Sequence, residues 1–302
     1  MKKRSPAAVL AFSLLGISFA GPLVSLSQAN PLAIAAWRLA FSLIIVAVAL
    51  AFTGEWRDWK RLTSRDVFFA TLSGICLAFH FWAWNASIHL TTIAASVTLV
   101  NLQPVFIVAI SAVFLRESPS RRQLLGIAIA IAGAMIIASP AWNGAGASMG
   151  SGAPLGNLLA VSAAVTAAIY YSIGRHLRHR YGIWSYVGLA YTACFLALII
   201  MSFIARAPLT PQPPRELAIF AGLAIGPMLL GHTGMNWALK FLPAYVVNLV
   251  SLGEPVGATI LGALIPGIAQ VPSAVTLIGG LIVLTGVVIA ARGVVSGSAT
   301  EP

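Results

Sequence analysis

Long apolar runs, separated by short clusters of proline, glycine and charge, follow one another along the whole of this chain. Ten of them reach about 20 predominantly apolar residues, the length with which a helix spans a bilayer: 7–27, 31–53, 67–88, 92–115, 122–140, 155–174, 184–204, 217–239, 243–265 and 272–291. The runs are continuous, without the alternation of apolar and polar positions that marks the strands of an outer-membrane barrel. The pattern predicts an all-α integral membrane protein with ten transmembrane helices. The connections are too short to hold a soluble catalytic domain.

Composition agrees. Of 302 residues, 8% are charged and 59% apolar, against about 25% and 45–50% in an ordinary soluble domain. The net charge of +11 raises the question of nucleic acid, and the placement of the basic residues answers it. Lys2, Lys3, Arg4, Arg57, Lys60, Arg61, Arg65, Arg116, Arg121, Arg122, Arg175, Arg178, Arg180, Lys240 and Arg292 all flank spans on one side of a ten-span chain. Only Arg206 and Arg215 fall on the other side, and Arg38 lies within the second span. This is the positive-inside bias, so both termini are expected in the cytoplasm and the chain in the cytoplasmic (inner) membrane. The basic residues meet anionic lipid headgroups, not nucleic acid.

Residues 1–20 resemble a secretory leader, with a basic start, an apolar stretch and Ser18-Phe19-Ala20-Gly21. Removing them would leave nine spans and invert the charge bias, so they are read as a retained first helix. Cys76 and Cys194 fall within spans and read as small apolar core residues, not a disulfide.

The two halves of the chain resemble each other. A shift of 151 residues places Asn85 on Asn236, Gln103 on Glu254, Pro104 on Pro255 and Val105 on Val256. A shift of 153 aligns Gly126 with Gly279 and Gly133 with Gly286. The expected organisation is a first five-helix repeat over 1–140, a Gly- and Ser-rich linker over 141–154 and a second repeat over 155–302. An odd number of spans per half inverts the second half in the membrane, a frequent plan of secondary transporters, whose substrate sites lie near the midplane between the halves. The glycine pairs are seven residues apart and so share a helix face, where small residues let backbones approach closely. Spans five and ten are therefore assigned to packing, outside the substrate path.

Charge within hydrocarbon is costly, about 2.5–3.5 kcal/mol on insertion scales, and only Arg38 and Glu254 incur that cost. Glu254 sits mid-span with Pro255 behind it, so the helix is expected to break there and free a carbonyl, as at the ion and substrate contacts of transporters. A carboxyl at that depth is suited to take up and release a proton, and Glu254 is the candidate proton-coupling residue. Its alternative role is as the ion-pair partner of Arg38 or as a helix cap. Arg38 offers a planar fork for a substrate carboxylate, or else holds its helix against a neighbour's carbonyls. Candidate substrate-binding residues of a second tier are His80, Trp84, Asn85, Asn101, Gln103, Tyr171, His232, Asn236, Asn248 and Ser251. In a straight helix Gln103 points away from Asn101, so these are not all expected to share one cavity. There is no cluster with metal-ligand spacing, no phosphate-binding glycine loop and no Walker sequence, so no metal, other cofactor or ATP drive is implied.

Several stretches, in order and spacing, carry a wider likeness: Ala36-Trp37-Arg38-Leu39-Ala40, Leu102-Gln103-Pro104-Val105-Phe106, Phe114-Leu115-Arg116-Glu117-Ser118, Gly126 to Gly133, and Leu252-Gly253-Glu254-Pro255-Val256. With these the chain resembles the EamA family of the drug/metabolite transporter superfamily over essentially its full length. The resemblance implies ten helices around a central cavity and export of amino acids or other small metabolites. One departure is the stretch after span nine, Ile265 to Gln270, which lacks the acidic residue that Glu117 supplies after span four.

The expectation is a secondary transporter, not an enzyme. It would move small organic metabolites, amino acids foremost, by alternating access, as a monomer or homodimer whose partners are the bilayer and a small-molecule substrate. The alternative within transport is a drug or organic-cation/proton antiporter built on Glu254. From another class, a channel would favour charge rings and an intramembrane enzyme paired acids or an activated nucleophile, and neither pattern is present.

Overall fold

A computed structural model describes residues 5–91, 93–115, 119–142, 152–265 and 274–297. Every regular element among them is helical. We label them α1 (Pro6–Leu26), α2 (Pro31–Thr53), α3 (Ser64–Leu90), α4 (Ile93–Val100 and Gln103–Ile110), α5 (Arg121–Trp142), α6 (Ala153–Arg178), α7 (Ile183–Ile204), α8 (Pro214–Ala238), α9 (Ala244–Leu264) and α10 (Ala274–Gly297). Seven of them, α1, α2, α3, α6, α7, α8 and α9, are long and apolar enough to cross a membrane. Gln103–Phe114 and Leu277–Ala290 are shorter apolar helices. The chain is thus a multi-pass membrane protein. Its outer surface is apolar: Phe52 and Phe203 are 88% and 85% exposed, as side chains bathed in lipid should be.

Local chemistry sets the helix ends. Asn30 caps α2, its side chain accepting from the Leu32 amide at 2.9 Å, and Pro31 follows at the position where a missing N–H costs nothing. Gly54 ends α2 at φ 71°, a left-handed conformation that a side chain would strain. Thr63 and Asp66 form a capping box at the start of α3.

Proline sets the breaks. Pro22 has no N–H for the Ser18 carbonyl, and α1 kinks at Phe19. Around Pro227, α8 widens into π-helical turns from Ala224 to Thr233. The fourth predicted span is divided: α4 stops at Val100 and restarts at Gln103-Pro104. In α9, Leu249–Gly253 forms 3-10 turns and a fresh helix starts at Glu254-Pro255. The break expected at Glu254 is present, and its counterpart lies at the matching place in α4.

Packing repeats across the molecule. α3 lies on α6 and α7, and α8 lies on α1 and α2; α4 packs on α6 as α9 packs on α1. α5 pairs with α10, and α2 with α7. Both of these pairs run antiparallel. Gly126 meets Gly286 and Ala290, while Gly133 meets Gly279 and Val283. Likewise Leu50 touches Gly188, while Ala36 and Ala40 lie beside Phe195 and Ile199. Cys76 and Cys194 are buried and free.

At the α5–α10 crossing the glycines are a steric requirement. A Cβ on Gly126 would sit 2.5 Å from the Ala290 amide nitrogen and 2.6 Å from the Gly286 carbonyl oxygen. Backbone cannot rotate away, so Gly126→Ala must push the helices apart; overpacking of this kind costs about 1–3 kcal/mol. We expect Gly126→Ala to lower the thermal midpoint in detergent clearly. Gly280→Ala, whose Cβ would meet the Val256 methyls at 3.4 and 3.8 Å, should leave it near the parent value. Equal midpoints for the two variants would refute this account of the crossing.

Of the sequence readings, Lys2 to Arg4, Arg116 to Ser118, most of the 141–154 linker and the stretch 266–270 lie outside the described residues.

Candidate functional site

The broken and widened helices converge on a central cavity of ≈ 30 Å³. α1 contributes Ile17 and Ala20; α2 contributes Arg38; α3 contributes His80, Phe81 and Trp84. α4 brings Asn101 and Gln103, α6 brings Tyr171, α8 brings His232 and Met235, and α9 brings Ser251 and Glu254. No described residue of α5 or α10 lines it. Ligand pockets for small molecules run to about 300–1,000 Å³, so the cavity as it stands is too small for an organic solute.

Arg38 is 1% exposed. Its guanidinium lies 4.1 Å above the Phe81 ring, and neither Nε nor Nη2 has a hydrogen-bond partner. The reading in which Arg38 pins α2 to a neighbour's carbonyls has no support from those two atoms. Arg38 and Glu254 face the same cavity and form none of the ion pairs seen at Asp58–Arg61, Asp66–Arg180 and Arg215–Glu216. The nearest hydrogen-bond partner of Glu254 is Asn101, whose Nδ2 donates to Oε2 at 3.4 Å.

Other polar atoms in the wall are also left open. Trp84 Nε1, Asn101 Oδ1 and Gln103 Oε1 have no partner. An unsatisfied buried polar group costs about 1–3 kcal/mol, more if charged, so a polar occupant that pairs with these atoms would be stabilised in the cavity. The two histidines meet edge to face, ring centroids 5.9 Å apart. His80 Nδ1 lies 3.0 Å from the Ala163 carbonyl, which only accepts, so Nδ1 carries a proton. His232 shares a 3.0 Å hydrogen bond between Nδ1 and the Tyr171 hydroxyl.

The structure therefore gathers Arg38, His80, Trp84, Asn101, Gln103, Tyr171, His232, Ser251 and Glu254 around one space. Asn101 and Gln103 stand there together, contrary to the straight-helix expectation, because the break after Val100 resets the helical phase between them. Three candidates lie elsewhere. Asn85 donates to the Pro31 carbonyl at 3.2 Å, Asn236 to the His232 carbonyl at 2.7 Å and to the Tyr170 hydroxyl, and Asn248 to the Ala244 carbonyl at 3.0 Å. Phe81 and Met235 were not singled out in the sequence. Each is an apolar residue in an apolar run, and its place in the wall is visible only once Arg38 and His232 are located beside it.

A multi-pass helical protein with a buried polar cavity between two similarly packed sets of helices belongs to the class of membrane transporters. More particularly, the chain belongs to the EamA-like transporter family, whose model matches residues 6–139 and again 154–292. It is 26% identical over 295 residues to an uncharacterized transporter of Archaeoglobus fulgidus, a match covering 94% of this chain and 96% of that one. A crystal structure 18% identical in sequence superposes with a TM-score of 0.75 over 99% of this chain and 100% of the other, a likeness of fold.

Proposed function

We propose that this protein exports small zwitterionic metabolites, amino acids foremost, from the cell by alternating access. In this reading ten membrane crossings form two inverted five-helix halves that rock about the central cavity. The antiparallel α2–α7 and α5–α10 pairs support the inversion, since equivalent helices of inverted halves must run oppositely. The matched breaks at Gln103-Pro104 and Glu254-Pro255 support it further.

One observation carries the substrate class. The cavity presents unpartnered donors on Arg38 and Trp84, and acceptors on Asn101 and Gln103 beside the Glu254 carboxyl. A carboxylate and an ammonium on one small molecule would satisfy both sets. Arg38 takes the carboxylate, Glu254 exchanges the proton, and Phe81, Trp84 and Tyr171 wall the remainder. Asn85 and Asn236 bond to neighbouring helices, and Asn248 bonds within its own. The end bearing most of the basic residues faces the cytoplasm of the inner membrane. Outward transport is the direction that the family resemblance implies.

Counterflow in proteoliposomes tests the reading. Saturable exchange of a panel of radiolabelled amino acids is expected, with net movement accelerated by an imposed pH gradient. Exchange of organic cations with none of any amino acid would overturn the zwitterion reading.

A further inference from the structure

Far from the cavity, at the two ends of the fold, lies a second pair of related carboxyls. α3 opens with Ser64-Arg65-Asp66 and α8 with Pro214-Arg215-Glu216, so the third residue of each helix is an acid preceded by arginine. Their offset of 150 residues is within one of the offset that relates Gln103 to Glu254. Both acids are buried, at 2% and 5% exposure.

Each binds a turn contributed by the other half of the chain. Asp66 accepts from the Tyr181 hydroxyl at 2.7 Å and from Arg180 Nη1 at 2.8 Å, in the turn between α6 and α7. Burial, with the Asp66 carboxylate adding to it, pushes the Tyr181 phenol above its ordinary value, so it stays a donor. Glu216 accepts from the Ser27 hydroxyl and from the Gln28 amide at 3.1 Å, in the turn between α1 and α2. Arg215 reinforces that end, its Nη2 donating to the Leu26 carbonyl at 2.9 Å.

The two ties lie at opposite ends of α2. This helix starts just after Gln28 and ends at the short connection into α3. Its 23 residues separate the ties by roughly 35 Å at 1.5 Å per residue. The cavity lies between them, with His80 and His232 well inside the helices that Asp66 and Glu216 open. At the basic end the Asp66 tie stands beside further bonds between the halves, Asp58 accepting from the Gly182 amide and Glu55 from the Trp184 amide; the Glu216 tie joins them at the opposite end.

We propose that Asp66 and Glu216 are a matched pair of gate latches, one closing each face of the transporter. The proposal rests on the alternating-access reading. If the halves rock, opening the basic face must separate α3 from the α6–α7 turn and break the Asp66 tie, while the Glu216 tie holds the far face shut. The return stroke reverses the roles. Removing either acid thus biases the protein toward opening at that acid's own face, by the differential stability of the two states.

The experiment uses the full chain with Cys76 and Cys194 replaced by alanine and a reporter introduced by Ala20→Cys on the cavity wall. A membrane-impermeant maleimide is applied from either face in sided vesicles; the closed cavity is too small to admit it, so labelling reports opening. The parent should label from both faces. Asp66→Asn should speed labelling from the basic face about fivefold or more, within the usual range of coupling between sites, and slow it from the other face. Glu216→Gln should do the reverse. Tyr181→Phe and Ser27→Ala delete one hydroxyl from each tie and should show the same opposite signs at smaller size should an acid variant fold poorly. A parent that labels from both faces, with variants that leave sidedness unchanged or shift it the same way, overturns the latches alone. A parent labelled from one face or neither overturns alternating access and the latches with it.

Discussion

Replacing Arg38 with methionine is expected to abolish carboxylate transport while leaving the protein folded, with a thermal midpoint at or above that of the parent. The expectation follows from what Arg38 lacks. A buried arginine that held the fold together would spend its donors on carbonyls or carboxylates, and removing it would orphan those partners at several kcal/mol. Here Nε and Nη2 are unpartnered and the guanidinium rests on the Phe81 face, so methionine deletes an uncompensated charge and keeps the apolar stem. Arg38→Lys sharpens the test. Lysine keeps the charge but not the fork, and charge-assisted hydrogen bonds are worth about 1.5–3 kcal/mol each. Losing one should weaken substrate binding by roughly 10- to 100-fold, at 1.4 kcal/mol per factor of ten. Flux measured against substrate concentration, alongside a melting curve of each variant, checks both arms. A methionine variant that fails to fold would assign Arg38 to the architecture.

The second large effect is expected at Glu254, and it should separate exchange from coupling. Glu254→Gln keeps the shape of the side chain and an oxygen for the Asn101 amide, but the group no longer titrates. Counterflow requires the cavity to reorient loaded and needs no net proton movement, so it should persist. Acceleration by an imposed pH gradient does need a titrating group in the path, and it should fall to the rate measured without the gradient. The His80–His232 pair stands in the same cavity and offers ring nitrogens that can also carry a proton. Coupling that survives the glutamine change intact would remove Glu254 from the proton path and direct attention to those rings.

These two residues were the most legible part of the site. Charge inside an apolar run stands out against a background of leucine, alanine and valine, and the proline after Glu254 marked the break that the structure contains. The helical elements were legible for a similar reason: their bounds follow prolines, glycines and caps such as Asn30, Gly54 and Thr63, whose effects are local. Asn101 and Gln103 show where local reasoning ends. Two positions apart on one straight helix they diverge, but a break at Val100 lets both face the same space. Asn85, Asn236 and Asn248 show the converse: polar residues at plausible depth that serve carbonyls of the protein.

The Asp66 and Glu216 ties were invisible in sequence until their partners were placed, since an acid in the first turn of a helix reads as a cap and nothing more. Asp66 does serve as one, yet its Oδ1 accepts from Arg180 and its capping oxygen Oδ2 accepts from the Tyr181 hydroxyl as well.

The amino-acid sequence by itself determined that this chain lives in a bilayer, which of its runs are helical, which residues place charge in hydrocarbon, and that its halves are related. All of these follow from hydrophobic transfer, backbone hydrogen bonding and proline chemistry acting over one or two helical turns. Only the tertiary structure decided which polar groups share the cavity, which are satisfied by the fold, and which carboxyls tie one half to the other. Those outcomes depend on helical phase after each break and on which helices abut, and both are set by contacts between residues a hundred or more positions apart.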